Sequence, residues 1–320
     1  MSHSVFLTGS TGFVGGAVMR RLIKDGVRVT AAVRNESTVI NSDVDVVRFD
    51  SFGDANWHSS LAGIDAVVHC AARVHVMSDT EVDPLAAFRK VNVEGTLNLA
   101  EQAAQAGVRR FVFISSIKVN GEGTQPGKPY MSDDRPNPSD PYGISKLEAE
   151  QGLLALADRT AMEVVIIRPV LVYGPGVKAN FLNMMRWLDK GIALPFGAID
   201  NRRSLVALDN LVDLIVTAIS HPAAANQAFL VSDGEDLSTT QLLRRTAAAL
   251  GRSPRLLPVP AWMLSSSARL VGKGALSQRL CGSLQVDIQK TQTLLQWTPP
   301  VSVDDALKAV ATQYMSDKKQ

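Results

Sequence analysis

A chain of 320 residues, 46% hydrophobic and 20% charged, can bury a sizeable core as an ordinary globular protein. Its net charge of +2 is too small for nucleic acid or an acidic membrane to be the main partner, and two cysteines, Cys70 and Cys281, make no disulfide framework and point to a reducing compartment. No stretch approaches the roughly 20 apolar residues of a membrane span, and Met1-Ser2-His3-Ser4 offers no basic leader, so a cytoplasmic location is expected.

Residues 4–8 are a short apolar run, followed by a glycine-rich turn and a helical pattern over 13–24 that Gly26 closes. Apolar runs at 27–33, 44–49, 65–70, 108–114 and 163–168 predict strands buried on both faces of a parallel sheet. Helical spacing over 88–106 and from Pro141 to about residue 159 fills the gaps, an alternation that predicts a Rossmann-type, doubly wound α/β fold. The loop between Gly121 and Pro141 carries five prolines and breaks the rhythm, and a long loop before a reactive helix is a usual place for substrate contacts.

Beyond Gly176 the character changes. Helices are expected at 180–190, 211–220, 238–250, 258–271 and 303–314, with a strand at 228–231 and a frayed tail at 316–320. Residues 1–176 read as a dinucleotide-binding domain carrying the catalytic groups. Residues 177–320 read as a smaller, mostly helical substrate-binding part, some of whose segments return to the main sheet.

Two motifs carry the chemistry. Gly9, Thr11, Gly12, Phe13, Val14 and Gly15 form a Gly-x-x-Gly-x-x-Gly turn between the first strand and its helix, where backbone can approach a pyrophosphate at a helix N-terminus. The second strand ends Ala32-Val33-Arg34-Asn35 with no acid for a ribose hydroxyl. Arg34 suits a 2′-phosphate, so NADP(H) is preferred over NAD(H), and Asp50 after the third strand is placed to meet the adenine. Further on, Asp140 and Pro141 open a helix on which Tyr142 and Lys146, four apart, share a face. A nearby ammonium favours the tyrosinate, so Lys146 is expected to lower the Tyr142 phenol. His69 follows an apolar strand and reads as packed, and His75 finds no partners for a metal, so no metal site is expected.

Taken with His69-Cys70-Ala71-Ala72, Asn92-Val93-Glu94-Gly95-Thr96, Ser115-Ser116, Arg168-Pro169 through Tyr173-Gly174-Pro175-Gly176 and Arg203-Ser204 through Asp209-Asn210, the chain resembles the extended short-chain dehydrogenase/reductase family, in its nucleotide-sugar epimerase and dehydratase group. The resemblance implies that Ser116 bonds the sugar carbonyl or hydroxyl, that Tyr142 is the acid/base, and that Lys146 binds the nicotinamide ribose. It further implies that Ala71 and Ala72 line the cofactor pyrophosphate. Asn180, Arg203 and, by position only, Arg279 would hold the diphosphate of a UDP-sugar; a guanidinium suits phosphate for its bidentate fork. Family members are often dimers, so a homodimer is implied.

Ser116-Ile117-Lys118-Val119-Asn120 lacks the Asp-Glu pair of the family's 4,6-dehydratases. Asn120 replaces the tyrosine usual in epimerases. The run resembles bacterial 4-ketoreductases that act on UDP-4-keto-6-deoxy-N-acetylhexosamines for O-antigen and other surface polysaccharides, and Arg34 agrees with NADPH. The expectation is therefore a reductase in which Tyr142 gives a proton to a ketone and Lys118 is a further substrate contact. The alternatives are a UDP-hexose or UDP-N-acetylhexosamine 4-epimerase with tightly bound NAD, and a non-catalytic dinucleotide sensor.

Overall fold

The computed structural model describes residues 4–34, 44–74, 83–270 and 274–318. Seven strands form one sheet: β1 (Ser4–Thr8), β2 (Arg28–Val33), β3 (Asp45–Arg48), β4 (Ala66–His69), β5 (Arg110–Ile114), β6 (Glu163–Pro169) and β9 (Gln227–Val231). Their order is β3-β2-β1-β4-β5-β6-β9, every pairing is parallel, and the order reverses between β1 and β4. Ligands bind at such a switch point, outside the carboxyl ends of the strands. The fold is the doubly wound α/β architecture that the alternation predicted.

Strand alternation sends side chains to two apolar layers. Val5 and Leu7 face a layer with Ala17, Val18 and Leu22 of the Phe13–Lys24 helix and Leu211 and Ile215 of the Leu208–Ser220 helix. Phe6, Phe111, Phe113 and Ile166 face the other, packed on Leu99, Ala103, Ala149 and Leu153 from the helices Gly95–Gln105 and Pro141–Ala157. Both faces are therefore dry, which is why the strands read as continuous apolar runs.

The helical run predicted at 88–106 is not regular. Pro84–Arg89 passes into a π-turn at Lys90–Glu94 before Gly95–Gln105 resumes. A π-turn inserts a residue and swings the following face, and such turns concentrate at functional sites. The one here carries the buried Asn92.

Beyond β6 a second sheet forms from β7 (Leu171–Tyr173), β8 (Arg203–Ala207) and β10 (Asp236–Leu237), in the order β10-β8-β7. The sequence reading missed it. A third apolar layer lies over this sheet, with Tyr173, Phe181, Met185, Leu205, Leu243, Leu307 and Val310. The expected frayed tail at 316–320 is corrected as far as it is described: helix Val303–Asp317 enters it and Lys318 pairs with Asp189 at 2.5 Å, while residues 319 and 320 lie outside the described residues. Among the described residues no helix is long and apolar enough to cross a membrane, and no cluster of three or more His, Cys, Asp or Glu side chains could hold a metal.

Candidate active site

The glycine turn closes on the switch point. Gly12 N donates to the Gly9 carbonyl at 2.9 Å, and Gly9 has φ +71. A Cβ on Gly9 would lie 2.7 Å from Ala71 N, and one on Gly15 only 2.2 Å from Gly9 O. The turn is thus pressed onto the end of β4 as closely as backbone permits. Gly12 caps the Phe13–Lys24 helix with no side-chain hydrogen bond, and the first helical turn holds no acid. Its amides and positive dipole end are left for an anion. Thr11, Gly12, Phe13, Val14, Ala71 and Ala72 all lie on this rim, none of them fully buried.

Beneath the rim, Thr8 Oγ1 meets His69 Nδ1 at 2.8 Å, His69 Nε2 meets Thr96 Oγ1 at 3.0 Å, and Ala71 N donates to Thr8 Oγ1 at 3.2 Å. His69 is buried, and burial, helped by the Lys146 charge, holds its imidazole down at about 3. It is a packed histidine, as its sequence context suggested. His75 lies outside the described residues. Arg34 and Asp50 are both exposed, just beyond the carboxyl ends of β2 and β3.

The second half of the site is built on β5 and the Pro141–Ala157 helix. Asp140 caps that helix by accepting from Gly143 N at 2.7 Å, and Pro141 fills the first turn. The Ser116 side chain lies near enough to the Tyr142 phenol to favour its ionised form. Ser116 is extended and opens a short 3-10 turn, Ile117–Val119, accepting from Lys118 N at 3.3 Å. Tyr142 also packs edge-on against Phe88, 6.0 Å between ring centroids.

Lys146 is 1% exposed. Its Nζ donates to the Ile114 carbonyl at 2.8 Å and lies 4.4 Å from the centre of the Phe113 ring. Burial pulls the ammonium down to about 8, opposed by the charge of Glu150. The expectation that Lys146 lowers the Tyr142 phenol needs correcting. Burial first, then the Asp140 charge, push that phenol up to about 12, and only the neighbouring Ser116 side chain lowers it. The ammonium is directed at the end of β5 instead.

The four other predicted substrate residues lie on elements of their own. Lys118 pairs with Asp140 and, at 3.0 Å, with Glu122, which gives it a structural partner on each side. Asn180 is exposed in the first turn of the Ala179–Asp189 helix. Arg203 opens β8 and donates to the Gly282 carbonyl at 3.0 Å. Arg279 falls in the helix Gly274–Cys281, but its side chain lies outside the described residues.

Sequence reasoning gave Asn92 no role. Its amide group donates to the Arg73 carbonyl and to Ser145 Oγ, both at 3.0 Å, and its oxygen accepts from Arg73 N at 2.8 Å. It straps the loop after β4 to the Tyr142 helix. Only the π-turn shows why this asparagine faces inward, and a π-turn has no sequence signature to read.

The model of the NAD dependent epimerase/dehydratase family matches residues 5–232. A UDP-glucose 4-epimerase of Vibrio cholerae is 51% identical over 321 residues, covering 98% of this chain and 96% of its own length. Among solved structures, the UDP-glucose 4-epimerase of Thermotoga maritima with UDP-glucose superposes with a TM-score of 0.77 at 24% identity, covering 99% of this chain and all of its own. The UDP-glucuronic acid 4-epimerase of Bacillus cereus in complex with NAD does so with a TM-score of 0.78 at 22% identity, covering 98% and 99%.

The reductase expectation is overturned by the 51% identical epimerase. Its sequence argument rested on Asn120, and the structure shows why that residue was a poor guide. Asn120 is 2% exposed, accepts from Arg168 at 3.1 Å and donates to the Met131 carbonyl at 3.0 Å. It holds a loop and does not report the direction of hydride flow. The preference for NADP drawn from Arg34 likewise finds no support in the matching family model, which is described as NAD dependent.

Proposed function

We propose that this chain, which belongs to the NAD dependent epimerase/dehydratase family, is a 4-epimerase of UDP-hexoses working with tightly held NAD. The observation that carries the reading is 51% identity to a UDP-glucose 4-epimerase along nearly the whole of both chains. The geometry supports it with Ser116 and Tyr142 as neighbours beside a buried lysine at the carboxyl end of β5.

The glycine turn fits a dinucleotide. A helix N-terminus with no side-chain cap and no acid, on a loop that admits no Cβ at Gly9 or Gly15, is suited to a pyrophosphate. Gly9, Thr11, Gly12, Phe13, Val14, Gly15, Ala71 and Ala72 would hold that end of NAD, Asp50 and Arg34 would flank the adenosine, and Lys146 would meet the nicotinamide ribose. Bound NAD would supply reversible hydride acceptance for the sugar C4, and its positive charge would favour a nearby phenolate.

The chain's own residues manage the proton. Tyr142 accepts the proton of the C4 hydroxyl at its Oη in one half-reaction and returns it in the other. Ser116 relays or donates to the C4 oxygen while that oxygen is a carbonyl. Burial keeps water from Lys146, so its charge acts at short range with little screening. Arg203 and Asn180 would engage the diphosphate.

The test is direct. The purified protein is denatured, the released dinucleotide is identified, and the native protein is incubated with UDP-glucose without added cofactor. Released NAD and the appearance of UDP-galactose are expected, with UDP-N-acetylglucosamine as a parallel arm. Released NADP, or no interconversion of either sugar, would overturn the proposal.

A further inference from the structure

Three consecutive residues at the end of β5 each meet one of three residues spaced a turn apart on the Pro141–Ala157 helix. The Ile114 carbonyl takes Lys146 Nζ at 2.8 Å, Ser115 Oγ donates to Glu150 Oε1 at 2.5 Å, and the Ser116 side chain neighbours the Tyr142 phenol. Tyr142, Lys146 and Glu150 are four apart and so form one stripe. Arg168, at the end of β6, grips the Glu150 carboxylate with both arms of its fork, at 3.0 and 2.6 Å. The same guanidinium donates to Asn120 Oδ1 at 3.1 Å and to the Ser132 carbonyl at 3.2 Å. Both arginine and glutamate are buried.

We infer that Glu150, locked by Arg168 and Ser115, is a positioning residue that fixes Ser116 and Lys146 relative to Tyr142. The inference rests on the epimerase reading of Ser116 and Tyr142.

A buried ion pair is a poor device for stability, because matched apolar residues often replace one at no cost. What a bidentate fork supplies is orientation. A Ser115 hydroxyl anchored on Glu150 fixes the backbone from which the extended Ser116 departs, and with it the reach of the Ser116 hydroxyl. Ser115 N is itself fixed to the Ile167 carbonyl at 2.7 Å, one residue before Arg168.

Charge adds a second effect. Lys146 is faced by Glu150 and Tyr142 from its own helix and by His69 and Cys70 from β4, while β5 offers the Ile114 carbonyl and the Phe113 ring. Burial holds His69 at about 3 and Cys70 at about 12, so neither is charged near neutrality. Glu150 is the carboxylate that opposes the desolvation of the Lys146 ammonium.

The paired variant Glu150→Met/Arg168→Met and the lighter Ser115→Ala are compared with the wild-type chain by thermal unfolding, kcat, KM and pH profile. The paired variant is expected to fold and keep KM within about threefold while kcat falls about a hundredfold, the scale of a small misplacement at a reacting centre. The alkaline limb of its profile moves to lower pH. Ser115→Ala is expected to lose about tenfold in kcat with its melting temperature unchanged. A folded paired variant with wild-type kcat and pH profile overturns the inference. Should that variant fail to fold, Ser115→Ala at wild-type kcat overturns it equally. Wild-type protein that converts no UDP-sugar overturns the reaction instead. In that case the Lys146 ammonium is followed by nitrogen-15 resonance in wild type and paired variant, without substrate, and an unmoved titration overturns the inference.

Discussion

Lys118 and Asp140 form an ion pair between residues 22 apart in the chain, tying the turn after β5 to the cap of the Tyr142 helix. Besides pairing with Lys118, Asp140 does two things, accepting from Gly143 N and, by its charge, raising the Tyr142 phenol. Asparagine caps a helix as well as aspartate does, so Asp140→Asn separates the two effects. The variant should melt like the wild type while its phenol titrates lower. If Tyr142 must be a phenolate to take the hydroxyl proton, the acid limb of kcat moves to lower pH. A limb that stays in place would remove Asp140 from the electrostatics of the site.

Replacing Tyr142 by Phe removes the proton carrier and leaves the ring that packs on Phe88. General acid–base catalysis is typically worth about 10²–10⁴ in rate, and kcat is expected to fall by that much. Bound dinucleotide, measured after denaturation, should be retained at the wild-type level. Undiminished turnover would refute the assignment of the proton to this residue.

A methyl group at Gly15 has no room, since it would sit 2.2 Å from the Gly9 carbonyl. Gly15→Ala must push the turn off the end of β4. The variant is expected to purify without dinucleotide and to lose about 1–3 kcal/mol of stability, the range for overpacked sites. Absorbance of the released cofactor and a denaturant melt read both effects. Full cofactor occupancy in this variant would show that the turn does not cradle the pyrophosphate.

The acid stability of the fold should report on His69. Its folded value, about 3, lies below the unfolded value near ~6.5. Below that upper value the unfolded chain binds a proton that the folded chain refuses. Stability is therefore full above about pH 6.5 and declines as pH falls toward 3, at up to roughly 1.4 kcal/mol per unit. Urea unfolding of the wild type and His69→Gln at pH 7, 5.5 and 4.5 tests this. The variant, weaker at pH 7 through lost bonds to Thr8 and Thr96, should show the flatter dependence. Equal slopes would assign the acid sensitivity elsewhere.

Much of this was legible in the chain. The Gly9–Gly15 turn and Tyr142 with Lys146 depend on spacing within one element, and the main strands are continuous apolar runs, so local pattern suffices. The small sheet escaped notice because β7 and β10 span three and two residues, too short for any periodicity to register. The partners of Lys118 and Glu150 were invisible for a different reason. Asp140 and Arg168 reach them from 22 and 18 positions away, brought together only by the sheet. The misreading of Asn120 has the same origin: a departure from the tyrosine usual in epimerases looks like a mark of the reaction, and its buried bonds to Arg168 and the Met131 carbonyl come from residues distant in the chain.

The last strand of the main sheet has a temporal consequence. β9 pairs in register with β6, Val165 opposite Gln227, across a crossover of 62 positions that contains β7, β8 and two of the longer helices. Parallel pairing over such a span closes late and pays its loop entropy first. During synthesis the β6 edge stays open until residue 231 has emerged, with Ile166 and Ile167 at that open edge. The half of the chain that carries the reactive groups therefore waits, sticky and unfinished, on the half that follows it.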